Sequence, residues 1–227
     1  MRDVPMRPAS ERARLALSSA VEGFRFVFGA PLLRSTMLLD FFATLFASAT
    51  ALLPIFAQDV LNVGAHGYGL LAAAPAVGAG VTSLFMLRQA SRIERQGRVL
   101  LAAVAGYGIA TLLFGLSRTF WLTALCLALV GASDMVSTVL RNLIRQLETP
   151  DRLRGRMTSV NMLFFMGGPQ LGEMEAGAVA NWLGAPFSVV SGGIACLVAS
   201  GWIAARTPAL WGYRKPDIDP DSPPPPG

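Results

Sequence analysis

The apolar run from Phe120 to Ile144 limits what this chain can fold into. It reads FWLTALCLALVGASDMVSTVLRNLI, and it is long enough for one helix to cross the hydrocarbon core of a bilayer, which takes about 20 residues. Asp134 lies well inside the run, where a charge costs at least about 2.5–3.5 kcal/mol on insertion scales. We therefore expect this carboxylate to be paired, to face a wet cavity, or to act directly in function.

The composition also indicates a membrane protein. Of the 227 residues, 53% are hydrophobic and only 15% are charged, whereas soluble domains carry about 25% charged residues. The net charge is +5, and nearly all of the basic residues are arginines next to apolar runs. That placement favours contact with a membrane surface, so we expect a lipid bilayer and no nucleic acid as partner. Cys126 and Cys196 lie inside apolar runs and are expected to be small buried residues, without a disulfide or a metal.

Six long apolar segments predict an all-α membrane protein with six transmembrane helices. They cover residues 32–57, 67–87, 99–116, 120–144, 157–183 and 186–205. Small residues are frequent in these segments, and such residues allow helices to approach closely in lipid.

The sequence divides into three parts. Residues 1–30 are expected to be a cytoplasmic lead-in with an amphipathic helix, which lies on the membrane surface or packs on connecting loops. Residues 31–206 form the predicted transmembrane domain. Residues 207–227 are expected to be a disordered Pro-rich cytoplasmic tail.

Arginines are concentrated in alternate connections between the apolar segments. They precede the first segment, separate the second from the third and the fourth from the fifth, and follow the sixth. In the opposite connections Arg118 is the only arginine, and Trp121 and Trp182, which suit a membrane interface, lie there as well. This asymmetry predicts that both termini are cytoplasmic.

Four sequence stretches resemble the major facilitator superfamily of transporters. ETPDRLRGRMTSVNMLF (residues 148–164) resembles its P-x-x-x-R-G-R loop, and SRIERQGR (residues 91–98) resembles its G-x-x-x-D-R-x-G-R loop. The second stretch departs from the pattern, because Glu94 replaces Asp and no glycine leads it. EGFRFVFGAPLLRS (residues 22–35) and GGPQLGEMEAG (residues 167–177) resemble the transmembrane secretion effectors, the branch that contains the enterobactin exporter.

The resemblance implies a bacterial inner-membrane exporter, but only half of one. Members of the superfamily have twelve spans in two halves around a central site, and the match here is to the second half, which contains two three-helix repeats. The chain is then a fragment, a truncated reading frame or a half that pairs with an N-terminal half or a second copy. The implied activity is proton-coupled efflux of a small amphipathic or siderophore-like molecule. The alternative is a six-span protein that does not transport and acts as an assembly or regulatory partner.

The resemblance also implies a cytoplasmic gate formed by the two basic loops. Its expected residues are Glu94, Arg95, Gly97, Arg98, Arg154, Gly155 and Arg156, with the two glycines allowing tight turns. The alternative is that these arginines only set the topology.

Five polar residues inside the apolar segments are candidates for proton or substrate coupling: Asp134, Asp40, Asn161, Glu173 and Glu175. Asp134 and Arg141 are two helical turns apart, roughly 10 Å, which predicts that they do not pair directly and that Asp134 needs a partner elsewhere. Asp40 is expected to face the same region. Asp134 either carries a proton or forms a structural lock with arginines.

Motifs that would indicate an enzyme are absent from the sequence. It has no G-x-S-x-G, no paired histidines for a metal and no nucleotide-binding loop. We therefore expect no enzymatic activity and no cofactor, and transport that depends on an ion gradient.

Overall fold

The computed structural model describes residues 23–46 and 49–214, and within these ranges the chain is helical and forms no strand. The helices are α1 (Pro31–Phe46), α2 (Gly64–Gln89), α3 (Gln96–Leu116), α4 (Phe120–Glu148), α5 (Arg154–Leu183), α6 (Ala185–Arg206) and a short α7 (Pro208–Gly212). Between α1 and α2 the chain continues through three short helical pieces, Ala49–Leu52, Leu53–Ile55 and the π-helical Phe56–Val60.

Five helical stretches in the described residues are long and apolar enough to cross a membrane. They are Pro31–Val60, Gly64–Gln89, Gln96–Leu116, Phe120–Glu148 and Ala185–Arg206. The remaining predicted span corresponds to α5, which has 30 residues but contains Glu173, Glu175 and other polar groups. Within the described residues, all six apolar segments are thus helical, and the crossing of the membrane by α5 stays a prediction.

Apolar side chains cover the outside of the helices as well as the inside. Leu87, Leu163 and Met174 are exposed by 69–81%. A helix that is hydrophobic all round belongs in lipid or in the core of a large assembly. Trp121 and Trp182 are also exposed, at the start of α4 and the end of α5. The described part of the chain therefore has the surface of a multi-pass membrane protein.

The helices pack in a defined order of neighbours. Helix α2 packs on α4, α4 on α3, α3 on α6, and α1 lies between α5 and α6. Helices α1 and α4 touch over a short stretch only. One hydrophobic core joins α1, α3, α4 and α6 around Leu39, Leu100 and Ile144, and a second core lies around Phe56, Phe114 and Leu127.

Helices α2 and α4 cross very closely. A Cβ atom added to Gly78 would overlap the carbonyl of Ala128, and one added to Gly131 would overlap the carbonyl of Pro75. Glycine is required at both positions because the two backbones are almost in contact. Small residues at a crossing are the usual means by which helices associate in lipid.

The basic connections all lie at one end of the bundle. The hydroxyls of Ser35 near the start of α1 and Thr207 after α6 are 2.7 Å apart. The Tyr213 hydroxyl donates to Oε1 of Glu148, at the end of α4, over 3.0 Å. The amide of Gly97, in the first turn of α3, donates to the Tyr213 carbonyl over 3.3 Å. The arginine-rich segments next to these residues are therefore neighbours in space.

The predicted roles of Gly97 and Gly155 in tight turns are wrong. Both lie in the first turn of a helix, and the glycines with positive φ in the described residues are Gly64 and Gly184 instead. Gly97 is needed for a different reason. Its missing side chain leaves room for the carbonyl of Leu210, so the chain after α6 can lie against α3.

The two terminal segments are only partly described. The helix predicted in the lead-in is present over residues 23–29, and Gly23 packs on the backbone of Arg156. Helical structure also extends beyond the predicted boundary at residue 206, because α7 follows it. The predictions for residues 1–22 and 215–227 lie outside the described residues.

The α2–α4 crossing gives a direct test of the packing. Gly78→Ala places a methyl group on the Ala128 carbonyl, and forcing extra atoms into a packed contact costs about 1–3 kcal/mol. We expect the unfolding midpoint in detergent, followed by tryptophan fluorescence, to fall by roughly 5 °C. Gly80→Ala is the matched control, because nothing lies within 4 Å of that position. An equal fall in the unfolding midpoint of both variants would contradict the close α2–α4 crossing.

Candidate functional site

A stripe of polar residues follows one face of α4. Gly131, Asp134, Thr138, Arg141 and Arg145 recur at steps of three and four residues, which places them on the same side of a helix. The structure links them along the helix. Nη2 of Arg141 donates to the Thr138 hydroxyl over 2.9 Å, and Nε of Arg145 donates to the Arg141 carbonyl over 3.2 Å. These contacts extend the arginine side chains along the helix surface.

Asp40 of α1 is held between the two arginines of this stripe. Its Oδ1 lies 2.9 Å from Nη2 of Arg141, and its Oδ2 lies 3.5 Å from Nη2 of Arg145. The three side chains are 3–6% exposed. Removing one partner of such a buried pair typically costs 3–5 kcal/mol. The ion pairs therefore tie α1 to α4 where the two helices hardly touch.

Asp134 has a different environment from Asp40. Its side chain is 52% exposed, and its Oδ1 lies 3.8 Å from the same Nη2 of Arg141. The prediction that Asp134 and Arg141 are too far apart to interact is therefore wrong. The Cα–Cβ bonds of a helix tilt toward its N-terminus, and a long arginine side chain reaches back across two turns. Asp134 lies midway along α4.

The four charged groups form one cluster. Asp40 and Asp134 both face Arg141, as the expectation for Asp40 requires, and the two carboxylates balance the two arginines. Nε of Arg141 and Nη1 of Arg145 are buried and have no hydrogen-bond partner in the described residues. The cluster is neutral only when both carboxylates are ionised, so a proton added to either one leaves an excess positive charge in a low-dielectric region.

The α5 candidates lie apart from this cluster. The side-chain oxygen of Asn161 is buried and has no partner among the described residues. Glu173 is exposed and Glu175 is half-buried, several turns further along the helix. Gly168 packs against Thr44 and Phe41 of α1. In the described part of the chain, no ion pair or hydrogen bond joins Asn161, Glu173 or Glu175 to Asp40 or Asp134.

The candidate gate residues are mostly on the surface of the arginine-rich end. Glu94, Arg95 and Arg98 are exposed, and within residues 23–46 and 49–214 Glu94 forms no ion pair. Arg154 pairs with Asp151 over 3.0 Å, and both are exposed by more than half, so the pair contributes at most about 1 kcal/mol. Among the described residues, no ion pair connects the two loops in this conformation.

A contact between α4 and the chain after α7 also lies at this end. The Tyr213 hydroxyl that bonds to Glu148 is partly buried. Burial raises the pKa of Tyr213, and the bond to Glu148 and its negative charge raise that pKa further. The phenol therefore stays protonated and keeps donating across the physiological pH range.

Sequence reasoning missed the main features of the cluster. It identified Asp40 but not its burial between Arg141 and Arg145, and it did not identify Tyr107 of α3, which packs against the hydrophobic core next to the cluster. One signal was available. Two arginines four residues apart inside an apolar helix require an acidic partner, and Asp40 is the acidic residue of α1.

The described residues contain no group of three or more His, Cys, Asp or Glu side chains that could hold a metal ion. The Asp40–Arg141 cluster itself offers ion pairs, hydrogen bonds and groups that can be protonated. A charge-balanced cluster that joins two helices can respond to a proton by a change in packing.

Comparison with known proteins identifies relatives over nearly the whole chain. A family model described as "Transmembrane secretion effector" matches residues 4–221. The enterobactin exporter EntS of Citrobacter koseri is 27% identical over 208 residues, which cover 92% of this chain and 50% of the relative. The EntS protein of Escherichia coli O1:K1 is 29% identical over 182 residues, or 80% and 43%. The chain thus spans about half the length of the curated relatives it matches. No solved structure matches.

The different environments of the two aspartates predict different mutational effects. Asp40→Asn leaves two arginines without a buried counter-charge, so we expect a loss of about 3–5 kcal/mol and a fall in the unfolding midpoint of roughly 10 °C in detergent. Asp134→Asn should change the midpoint little, because half of that side chain is exposed. A second test combines Asp40→Asn with Arg145→Gln, which should cost less than the sum of the single variants. Equal destabilisation by Asp134→Asn would contradict this assignment.

Proposed function

Because this chain belongs to the transmembrane secretion effector family of the major facilitator superfamily, we propose that it forms the C-terminal six-helix half of a secondary exporter. The observation that carries the proposal is the family match over residues 4–221 in a chain about half as long as its exporter relatives. The proposed substrate is a small amphipathic or siderophore-like molecule, moved out of the cytoplasm across the inner membrane. Export leaves the covalent bonds of the substrate unchanged, and the proposal requires no cofactor.

The packing of the helices supports an arrangement of two three-helix repeats, α1–α3 and α4–α6. If α1 is exchanged with α4, α2 with α5 and α3 with α6, the α2–α4 contact becomes the α5–α1 contact. Both pairs pack closely, and the α3–α6 pair maps onto itself. Repeats of this kind place the substrate site at their interface near the middle of the membrane. In this arrangement α5 also crosses the membrane, which brings the number of spans to six, and its polar groups face protein or a cavity instead of lipid.

The outer surface of α5 is the proposed wall of the substrate pathway. A groove of about 550 Å³ is lined by Ser159, Met162, Leu163, Met166 and Gly167. This volume is in the range of pockets that hold small organic ligands, about 300–1,000 Å³. Methionine side chains adapt to varied apolar shapes, which suits an amphipathic molecule. A matching N-terminal half, or a second copy of the chain, would close the groove.

Asp134 is the proposed proton carrier, and Asp40 is the fixed counter-charge. Asp134 is half exposed, so a proton can reach it, whereas Asp40 is enclosed by two arginines. Protonation of Asp134 removes one negative charge from beside Arg141, the residue that links α4 to α1. The proton thereby alters the electrostatic balance between the first helices of the two repeats. Glu173 and Glu175 are the alternative carriers.

The basic loops are proposed to form the cytoplasmic gate. Arg95, Gly97 and Arg98 lie at the same end of the bundle as Arg154 and Arg156. In an exporter, this end must open to admit substrate and close before release. The loops are joined by no ion pair among the described residues, so the gate pairing with Glu94 would belong to another conformation.

A second candidate function is favoured by the uncovered apolar faces of two helices. In the described structure α2 and α5 expose many large apolar side chains, among them Leu87, Leu163 and Met174. Such a chain could serve as an assembly or regulatory partner for another membrane protein. The two functions differ in whether any pairing of this chain transports substrate.

The proposed orientation has both termini in the cytoplasm. A reporter enzyme active only outside the cytoplasm should be silent when fused after Arg214, which lies at the arginine-rich end, and active when inserted after Asn62, in the turn between the first span and α2. A fusion after Arg118 should be active as well. The opposite pattern would refute the orientation.

The proposed proton coupling predicts that the Asp134→Asn variant loses gradient-driven transport but keeps downhill exchange. The chain is joined to, or co-expressed with, a matching N-terminal half and assayed in everted vesicles with an iron-free catecholate siderophore. Asp134→Asn mimics a permanently protonated carboxyl group, so uptake driven by an imposed pH gradient should be lost while downhill exchange and substrate binding persist. Asp59→Asn is the control, because it removes an exposed carboxylate at the other end of the bundle.

Two outcomes would redirect the proposal. Undiminished gradient-driven transport by a stable Asp134→Asn variant would eliminate Asp134 and leave Glu173 or Glu175 as the carrier. Failure of every pairing to bind or move the siderophore, with the protein folded and inserted, would favour the assembly role.

A further inference from the structure

A small basic cleft lies at the arginine-rich end, apart from the Asp40–Arg141 cluster. It has a volume of about 190 Å³ and is lined by Arg95, Arg98, Trp211, Gly212 and Arg214. Arg95 directly precedes α3 and Arg98 lies in its first turn, while the other three belong to α7 and the residues after it. The cleft thus forms where the chain returns from α6 onto the start of α3.

The positive charge of this cleft is not balanced by the described residues. Arg95, Arg98 and Arg214 are exposed, and within residues 23–46 and 49–214 none of them forms an ion pair. The two nearby glutamates, Glu94 and Glu148, do not pair with these arginines. Glu94 forms no ion pair with any described residue, and Glu148 accepts the hydrogen bond of Tyr213. Three guanidinium groups around one cavity therefore create a field that favours an anion.

The walls of the cleft are held in place by the fold. The Gly97 amide donates to the Tyr213 carbonyl, and the position of Gly97 leaves space only for the carbonyl of Leu210. Leu210 is completely buried in the core that also contains Leu100 and Ile144. A ligand would therefore meet arginines whose backbones are already positioned, which lowers the entropy cost of binding.

The location of the cleft indicates which anion it meets. It lies beside the first turn of α3 and just beyond the end of α6, both of which are long and apolar enough to cross a membrane. Trp211 is half exposed, and tryptophan is enriched at the level of lipid headgroups. Arg206 lies over the Trp202 ring in the last turns of α6, 5.3 Å from its centroid. The cleft is therefore at the boundary between hydrocarbon and water.

We propose that this cleft binds the phosphate of one anionic phospholipid headgroup. Arginine forms paired hydrogen bonds with phosphate oxygens, and basic pockets beside transmembrane helices bind anionic headgroups. A volume of about 190 Å³ is below that of pockets for drug-sized ligands, about 300–1,000 Å³, so it suits a phosphate with its ester groups. The Trp211 ring lies against the glycerol region. The inference requires membrane insertion and does not depend on transport.

The test compares lipid retention by the full chain and two double variants. Each protein is placed in nanodiscs of phosphatidylcholine with a minor fraction of phosphatidylglycerol, and the lipid retained on release is measured by native mass spectrometry. We expect one phosphatidylglycerol per chain on the parent protein and at least about tenfold weaker retention for Arg98→Gln with Arg214→Gln. Arg88→Gln with Arg92→Gln is the matched control, because it removes two exposed charges near the same end but outside the cleft.

Three results would overturn the proposal. An equal loss of phosphatidylglycerol retention in both double variants would show that lipid binds to a general basic surface instead of a defined site. Binding of inorganic phosphate in detergent, lost only in the cleft variant and without preference for phosphatidylglycerol, would identify a site for free phosphate. Retention of lipid only after removal of residues 216–227, which include Asp217 and Asp219, would show that the tail occupies the cleft. The unfolding midpoints of both double variants are measured as well, and unchanged midpoints exclude misfolding as the cause of any lost binding.

Discussion

The attachment of α1 to α4 depends on one buried carboxylate. Asp40 is held by Arg141 and Arg145 with almost no exposure to solvent, whereas the helices themselves make few contacts. In a medium without water, a charge removed from its partners costs several kcal/mol. The ion pairs therefore fix the relative position of α1 and α4 together with the apolar core that both helices share with α3 and α6, while glycines allow the close α2–α4 crossing.

Arg141 connects this fixed pair to a residue that can change its charge. The same guanidinium nitrogen faces Asp40 at 2.9 Å and Asp134 at 3.8 Å. One carboxylate is enclosed and the other is half exposed, so the two differ in access to protons although they share an arginine. This asymmetry is the physical basis on which the proposed division between counter-charge and proton carrier rests.

The sequence predicted the helical segments well, and their partners poorly. Apolar runs identify helices because lipid requires them, and the arginine pattern identified the connections that the fold gathers at one end. The side-chain contacts were harder, because the reach of Arg141 toward Asp134 depends on rotamers. The need for glycine at position 97 comes from its contact with Leu210, more than a hundred residues away along the chain. The spacing of polar residues along α4 indicated Asp134 as a functional candidate. It could not show that Asp40 is the carboxylate buried between Arg141 and Arg145.

The separation of Asp40 and its arginines along the chain has a consequence for biosynthesis. Asp40 and Arg145 are 105 residues apart, and a ribosome adding about 5–20 residues per second needs roughly 5–20 s to cover that distance. During this interval, the first span leaves the ribosome without its counter-charges. A carboxylate in a span costs about 2.5–3.5 kcal/mol on insertion scales. That cost is offset by Arg141 and Arg145 only after α4 has been synthesised, so the first span is least stable in the membrane early in biosynthesis.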